Sequence, residues 1–156
     1  MSTTSAPSAA IASAEAGCIL AGADPLVRDV CIDYARALGV AFQITDDIQS
    51  FEPPEGCGTQ PGEDLKAGKL TYVIVRALEL LDQTGYDRLV EILCTRTLRE
   101  DPALVEEGCA LVRKSGSPDA CRTEAIAMVD LAWQTYSKKK SPIRAEDHAP
   151  GCFPAI

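Results

Sequence analysis

The sequence predicts an all-α chain, and three observations carry that reading. Capping residues stand immediately before prolines, apolar residues recur at helical spacing, and no segment alternates apolar with polar in the manner of a strand. Asp24-Pro25, Asp101-Pro102 and Ser117-Pro118 each offer a side-chain oxygen to an unpaired N–H, while proline at the first helical position has no N–H to leave unpaired.

Taken in order, residues 8–22 are rich in Ala, Ser and Gly and predict a helix suited to close packing. From Pro25, residues Val27, Val30, Cys31, Tyr34, Leu38, Phe42, Thr45 and Ile48 keep helical spacing to about Phe51. Gly39 sits inside that helix, where a close neighbour would need it. Residues 53–68 hold three prolines and four glycines and predict a loop. A helix over 70–83 follows, with Leu70, Val73, Ile74, Ala77, Leu78 and Leu81 on one face and Gly85 beyond its end. Helices over 87–99, 102–114 and 118–139 complete the set, and residues 141–156 predict an irregular tail after a body of residues 1–140. Lys138, Lys139 and Lys140 complement the negative end of the last helix.

A chain of 156 residues suits one domain, and 46% hydrophobic with 24% charged residues suits a globular one. With only 5% aromatic residues, the core must come from Leu, Ile, Val and Ala. The net charge is −8, and residues 1–60 hold eight acids against Arg28 and Arg36 alone. No basic face is evident for a phosphate backbone, so nucleic acid is excluded as an expected partner. Seven scattered cysteines without a C-x-x-C pair, and a single histidine at His148, do not suit zinc. They predict reduced thiols that pack as small hydrophobes, in an intracellular reducing compartment, the cytoplasm or an organelle interior. No apolar run reaches membrane-spanning length. The segment before Arg28 has neither the basic start of a signal peptide nor the arginines of a mitochondrial transit peptide.

The chemistry-bearing stretch is FQITDDIQSFE, residues 42–52, followed by TQPGEDLKAGKLT, residues 59–71. Gln43, Asp46, Asp47 and Ser50 fall at i, i+3, i+4 and i+7, one helical stripe that the apolar pattern places opposite the core. Alone, such a stripe is a solvated edge. The following loop changes its meaning, because it sets Asp64, Lys66 and Lys69 among glycines before a helix start, where N–H groups favour anions. Carboxylates for Mg²⁺ beside lysines suit a diphosphate.

GVAFQITDDIQSF with TQPGEDLKAGKLTYVIVRAL resembles the second aspartate-rich region of the trans-isoprenyl diphosphate synthases, the polyprenyl synthetase family. The likeness runs from about residue 8 to residue 137. It implies the C-terminal half of an isoprenoid-synthase-type helical bundle around a deep cavity. In that family, two aspartate-rich motifs on facing helices bind Mg²⁺ ions that draw diphosphate from an allylic substrate, and isopentenyl diphosphate attacks the carbocation. Carried over, the metal residues are Asp46 as ligand, Asp47 in support and Asp64 ordering the loop and the metal's water shell. Gln43 lines the cavity near the diphosphate, and Lys69 contacts it.

The family's first aspartate motif has no counterpart here. Its Lys-Thr pair falls near Ser5 and Ala6, its loop lysine is Gln60, and the last position of its D-D-x-x-D motif is Ser50. The resemblance therefore implies no catalytic residue proper and no activity alone. One reading is a subunit of a split or heteromeric prenyltransferase, with a second protein chain supplying the N-terminal half and isoprenyl diphosphate as ligand. The alternative is a non-catalytic structural or regulatory subunit whose exposed groove packs against a partner. Fold likeness does not choose between them.

Overall fold

The structure, a computed structural model, describes residues 5–53 and 61–139; the expected tail of 141–156 lies outside them. Eight helices make up the described residues: α1 (Ser5–Leu20), α2 (Pro25–Gln49), α3 (Glu63–Ala67), α4 (Tyr72–Leu80), α5 (Gln83–Cys94), α6 (Arg96–Arg99), α7 (Pro102–Lys114) and α8 (Ser117–Lys139). No strand occurs among the described residues, so the all-α expectation holds.

The predicted caps act at two of three sites. Asp24 Oδ1 accepts the Leu26 N–H and Asp101 Oδ1 accepts the Ala103 N–H, both at 2.8 Å. Ser117 does not cap: its hydroxyl donates to the Val112 carbonyl at 3.4 Å, and α8 starts after Gly116, whose φ is +74°. Two caps escaped the sequence reading and moved the boundaries. Thr71 accepts the Ile74 N–H, so α4 starts at Tyr72 and Leu70 is left outside, exposed. Asp82 accepts the Gly85 N–H at 2.8 Å, so the expected 70–83 helix stops at Leu80 and α5 starts at Gln83, with α6 separate. The expected 53–68 loop also contains a helical turn, α3, between two left-handed glycines.

The core lies among α2, α4, α5, α7 and α8. Ile44, Ile48, Phe51, Leu65, Val73, Ile74, Leu89, Ile92 and Val112 form one buried cluster with Cys109 and Cys121. Each large aliphatic side chain buried there contributes about 1.5–3 kcal/mol. Burial pushes the Cys109 and Cys121 thiols up to about 11, as expected of cysteines used as small hydrophobes. Cys18, Cys94, Cys109 and Cys121 are free thiols. No helix among the described residues is long and apolar enough to cross a membrane.

α2 is packed between α1 and α8, with α4 against its C-terminal part. Its buried positions are Val30, Ala35, Gly39, Ile44, Asp47 and Ile48. The sequence reading put Leu38, Phe42 and Thr45 on the core face, yet all three are exposed, Phe42 by 61%. The reason is that α1 sits against the small residues of α2, which a pattern of large apolar residues does not mark.

Gly39 is the closest approach. A Cβ there would stand 2.6 Å from the Pro7 Cα, a backbone atom that no rotamer change can move. Gly39→Ala therefore sets a helix-propensity gain of about 1 kcal/mol against an overpacking cost of about 1–3 kcal/mol. We expect net destabilisation, read as a lower urea midpoint; a midpoint above wild type would show that α1 yields freely.

Candidate functional site

The core residues of α2 decide where its acids point. A helix turns once in about 3.6 residues, and Ile44, Ile48 and Phe51 are all buried. Asp47 stands three residues after Ile44 and four before Phe51, so it is carried inward and is only 7% exposed. Gln43 and Ser50 are half-buried, and Asp46 is exposed. The expected stripe opposite the core is thus split: Asp47 belongs to the buried side and Asp46 to solvent.

Asp47 bridges two helices. Its Oδ1 accepts from Gln43 Nε2 at 3.1 Å and its Oδ2 from the Tyr72 N–H, the first of α4, at 3.4 Å. Buried Thr71 takes the Ile74 N–H at 3.4 Å. The helix start that the sequence offered to an anion therefore has two of its free N–H groups already satisfied from within the chain.

The loop between α2 and α4 is anchored on α2's end. Ser50 receives two bonds, from the Gly62 N–H on its carbonyl at 2.6 Å and from the Asp64 N–H on its hydroxyl at 3.2 Å. Gly68 closes α3 at φ +68°, a left-handed conformation that favours glycine, and a Cβ there would stand 2.0 Å from Arg99 Nη1. Arg99 Nη1 donates to the Lys66 carbonyl at 3.2 Å. The loop so held pairs Lys69 Nζ with Asp64 Oδ1 at 2.6 Å. The hydrogen bond to Asp64 and its charge hold the Lys69 ammonium above its usual range.

The structure thus joins Gln43 to Asp47 and Asp64 to Lys69, while Asp46 stands outside the ion pairs between described residues. Among the described residues, no three His, Cys, Asp or Glu side chains are grouped to hold a metal ion. Asp46, Asp47 and Asp64 therefore do not form a protein cage. An exposed carboxylate such as Asp46 does fit Mg²⁺, which keeps several waters and takes phosphate oxygens alongside one or two carboxylates. Gln60 lies outside the described residues.

The sequence reading missed Arg99, Thr71 and a link from α4 to α8. The Tyr72 hydroxyl donates to Glu124 Oε2 at 2.6 Å, and Arg76 Nη2 donates to Glu124 Oε1 at 2.8 Å. Only the Thr-then-apolar-run pattern at Thr71 carried a local signal for any of these.

The family model described as Polyprenyl synthetase matches residues 2–110. The short chain isoprenyl diphosphate synthase of Methanothermobacter thermautotrophicus is 33% identical over 122 residues, which cover 78% of this chain and 36% of that protein. The polyprenyl synthetase structure from Streptomyces coelicolor A3(2) superposes with a TM-score of 0.66 at 26% identity, covering 81% of this chain and 39% of the other. A decaprenyl diphosphate synthase from Rhodobacter capsulatus gives a TM-score of 0.58 at 29% identity, covering 80% and 37%. The chain spans 36% and 32% of the first two curated relatives it matches, about a third of each.

Burial holds the Asp47 carboxyl above its ordinary 3.8, outweighing the bonds from Gln43 and Tyr72 that favour its charge. A folded pKa above the unfolded one adds stability that is complete below the unfolded value and lost as pH rises through the folded one. The expected result is a carbon-detected titration midpoint for Asp47 above 3.8. A midpoint at or below that value would contradict the burial argument.

Proposed function

Since the chain belongs to the polyprenyl synthetase family, we propose that it contributes the second aspartate motif to a site that joins an allylic diphosphate to isopentenyl diphosphate. The single observation that carries this reading is that the helix bearing the open carboxylate, Asp46, also anchors the loop of Asp64 and Lys69 through Ser50. Asp46 holds Mg²⁺, and Lys69 takes the diphosphate oxygens by exchanging its bond with Asp64. Asp64 keeps the ammonium in place until then, and Gln43 borders the site through its bond to Asp47. Bound Mg²⁺ supplies charge neutralisation for the departing diphosphate. The chain's own residues supply position and a fixed positive charge.

We propose a second polypeptide as the remaining wall of the site. Support for it is the apolar groove of about 370 Å³ between α2 and α8, lined by Leu38, Ala41, Phe42, Ala125, Ile126 and Val129. Leu38, Phe42 and Ile126 are exposed by 41%, 61% and 58%, a contiguous apolar surface of the kind that marks an interaction site. Sedimentation of the purified chain should therefore show association rather than a lone monomer; a monodisperse monomer with a cooperative melt would count against a needed partner.

A non-catalytic structural or regulatory subunit is the second reading. Ser50 favours it, because a hydroxyl bonded to the Asp64 N–H replaces a carboxylate at the motif's last position. Asp46→Asn separates the two, since it removes the charge while keeping size. We expect calorimetry with inorganic diphosphate and Mg²⁺ to lose about tenfold or more in affinity, about 1.4 kcal/mol. Condensation by the co-purified assembly should fall with it while assembly is unchanged. Equal affinity in both proteins would remove Asp46 from the site, and an assembly without prenyl transfer would leave the structural role.

A further inference from the structure

We infer that Asp47 is a positioning residue rather than a metal ligand: its carboxylate ties the N-terminus of α4 to α2 and thereby fixes Lys69 relative to Asp46. This rests on the proposed Mg²⁺–diphosphate site but concerns a different bond in it.

The geometry supplies each link. Both Asp47 oxygens are engaged by groups of the chain, Gln43 Nε2 and the Tyr72 N–H. The side chain is buried, whereas its neighbour Asp46 is exposed. A metal ligand must be open to the ion and its waters, and Asp47, buried with both oxygens engaged, is less open than exposed Asp46. The Tyr72 N–H has no helical acceptor of its own, being the first of α4. Asp47 supplies that acceptor from another helix, as Thr71 supplies the one for Ile74 within its own.

The consequence reaches the loop. Ser50, three residues on from Asp47, holds the loop's beginning through Gly62 and Asp64. Asp47 holds its far end at Tyr72. Asp47 and Ser50 therefore fasten both ends of the 62–72 segment to α2, and Lys69 lies between the two fastenings. Arg99 supports the middle through the Lys66 carbonyl. Adjacent aspartates on one helix so divide the labour: Asp46 meets the ligand, and Asp47 sets the distance to the lysine.

The test compares Asp47→Asn, Asp47→Ala and Asp46→Asn in thermal melts, amide exchange at Tyr72 and calorimetry with Mg²⁺ and inorganic diphosphate. An asparagine oxygen can still accept the Tyr72 N–H, and its amide can meet a turned Gln43; alanine can do neither. Asp47→Ala should melt several degrees lower, speed Tyr72 exchange and weaken binding by about tenfold or more, as loss of a supporting partner does. Asp47→Asn should restore the melt and the slow exchange, with a far smaller binding loss than Asp46→Asn. The inference is overturned if Asp47→Asn binds as poorly as Asp46→Asn with an intact melt, as a ligand would. It is overturned equally if Asp47→Ala melts and exchanges like wild type. Should the wild type bind no Mg²⁺–diphosphate, the proposed function fails, and the melt and exchange arms still decide the role of Asp47.

Discussion

Burial of Ile44, Ile48 and Phe51 at the C-terminal end of α2 is the constraint from which the site follows. Helical geometry does not let those residues face the core without bringing Asp47 with them. A carboxylate taken from water is costly unless it is hydrogen-bonded. The chain offsets part of that cost with Gln43 from the same helix and the free N–H of Tyr72 from α4. An apolar packing requirement thus becomes a polar joint between two helices, and the lysine loop hangs from that joint.

Around the joint, ion pairs set orientation more than stability. Arg88 grips Glu107 through two bonds of 2.7 and 2.8 Å, joining α5 to α7. Arg113 donates to the Phe51 carbonyl at 3.2 Å and pairs with Glu106, so α7 holds the segment that leaves α2. Solvent screening leaves exposed pairs of this kind little weight in stability. Leu65, Ile74, Leu89 and Ile92, each fully buried, contribute more. The apolar layer holds the helices together, and the charged pairs select the angle at which they meet.

The opposite side of α2 has a different character. Tyr34, Trp133 and Tyr136 cluster there with ring centroids 5.5–5.7 Å apart, and the α2–α8 groove lies on the same pair of helices. Trp133 remains 52% exposed and Leu131 66%. The chain matches about a third of the length of its first two curated relatives. One side of α2 is finished by its own chain, and the other carries apolar surface open to solvent.

The sequence by itself determined the all-α class, the starts of α2 and α7, the family, and which residue types gather near the acid pair. These are local properties, because a cap reaches only a few residues and a motif is contiguous. It placed the loop lysine and its aspartate, which a five-residue separation brings together through α3. Its pattern set Asp46 and Asp47 on one stripe, and the resemblance gave them different roles without saying which of the two is buried. Their difference depends on which side of α2 meets α4, and that is set by α1 packing on Gly39 and by Thr71 and Asp47 receiving the start of α4. It also misjudged Leu38 and Phe42, since large apolar residues mark a face without saying what covers it. Partners distant in sequence, Arg99 under the loop and Glu124 across from Tyr72, were fixed only by the tertiary fold, because a bond spanning 33 or 52 residues leaves no periodic trace in the chain.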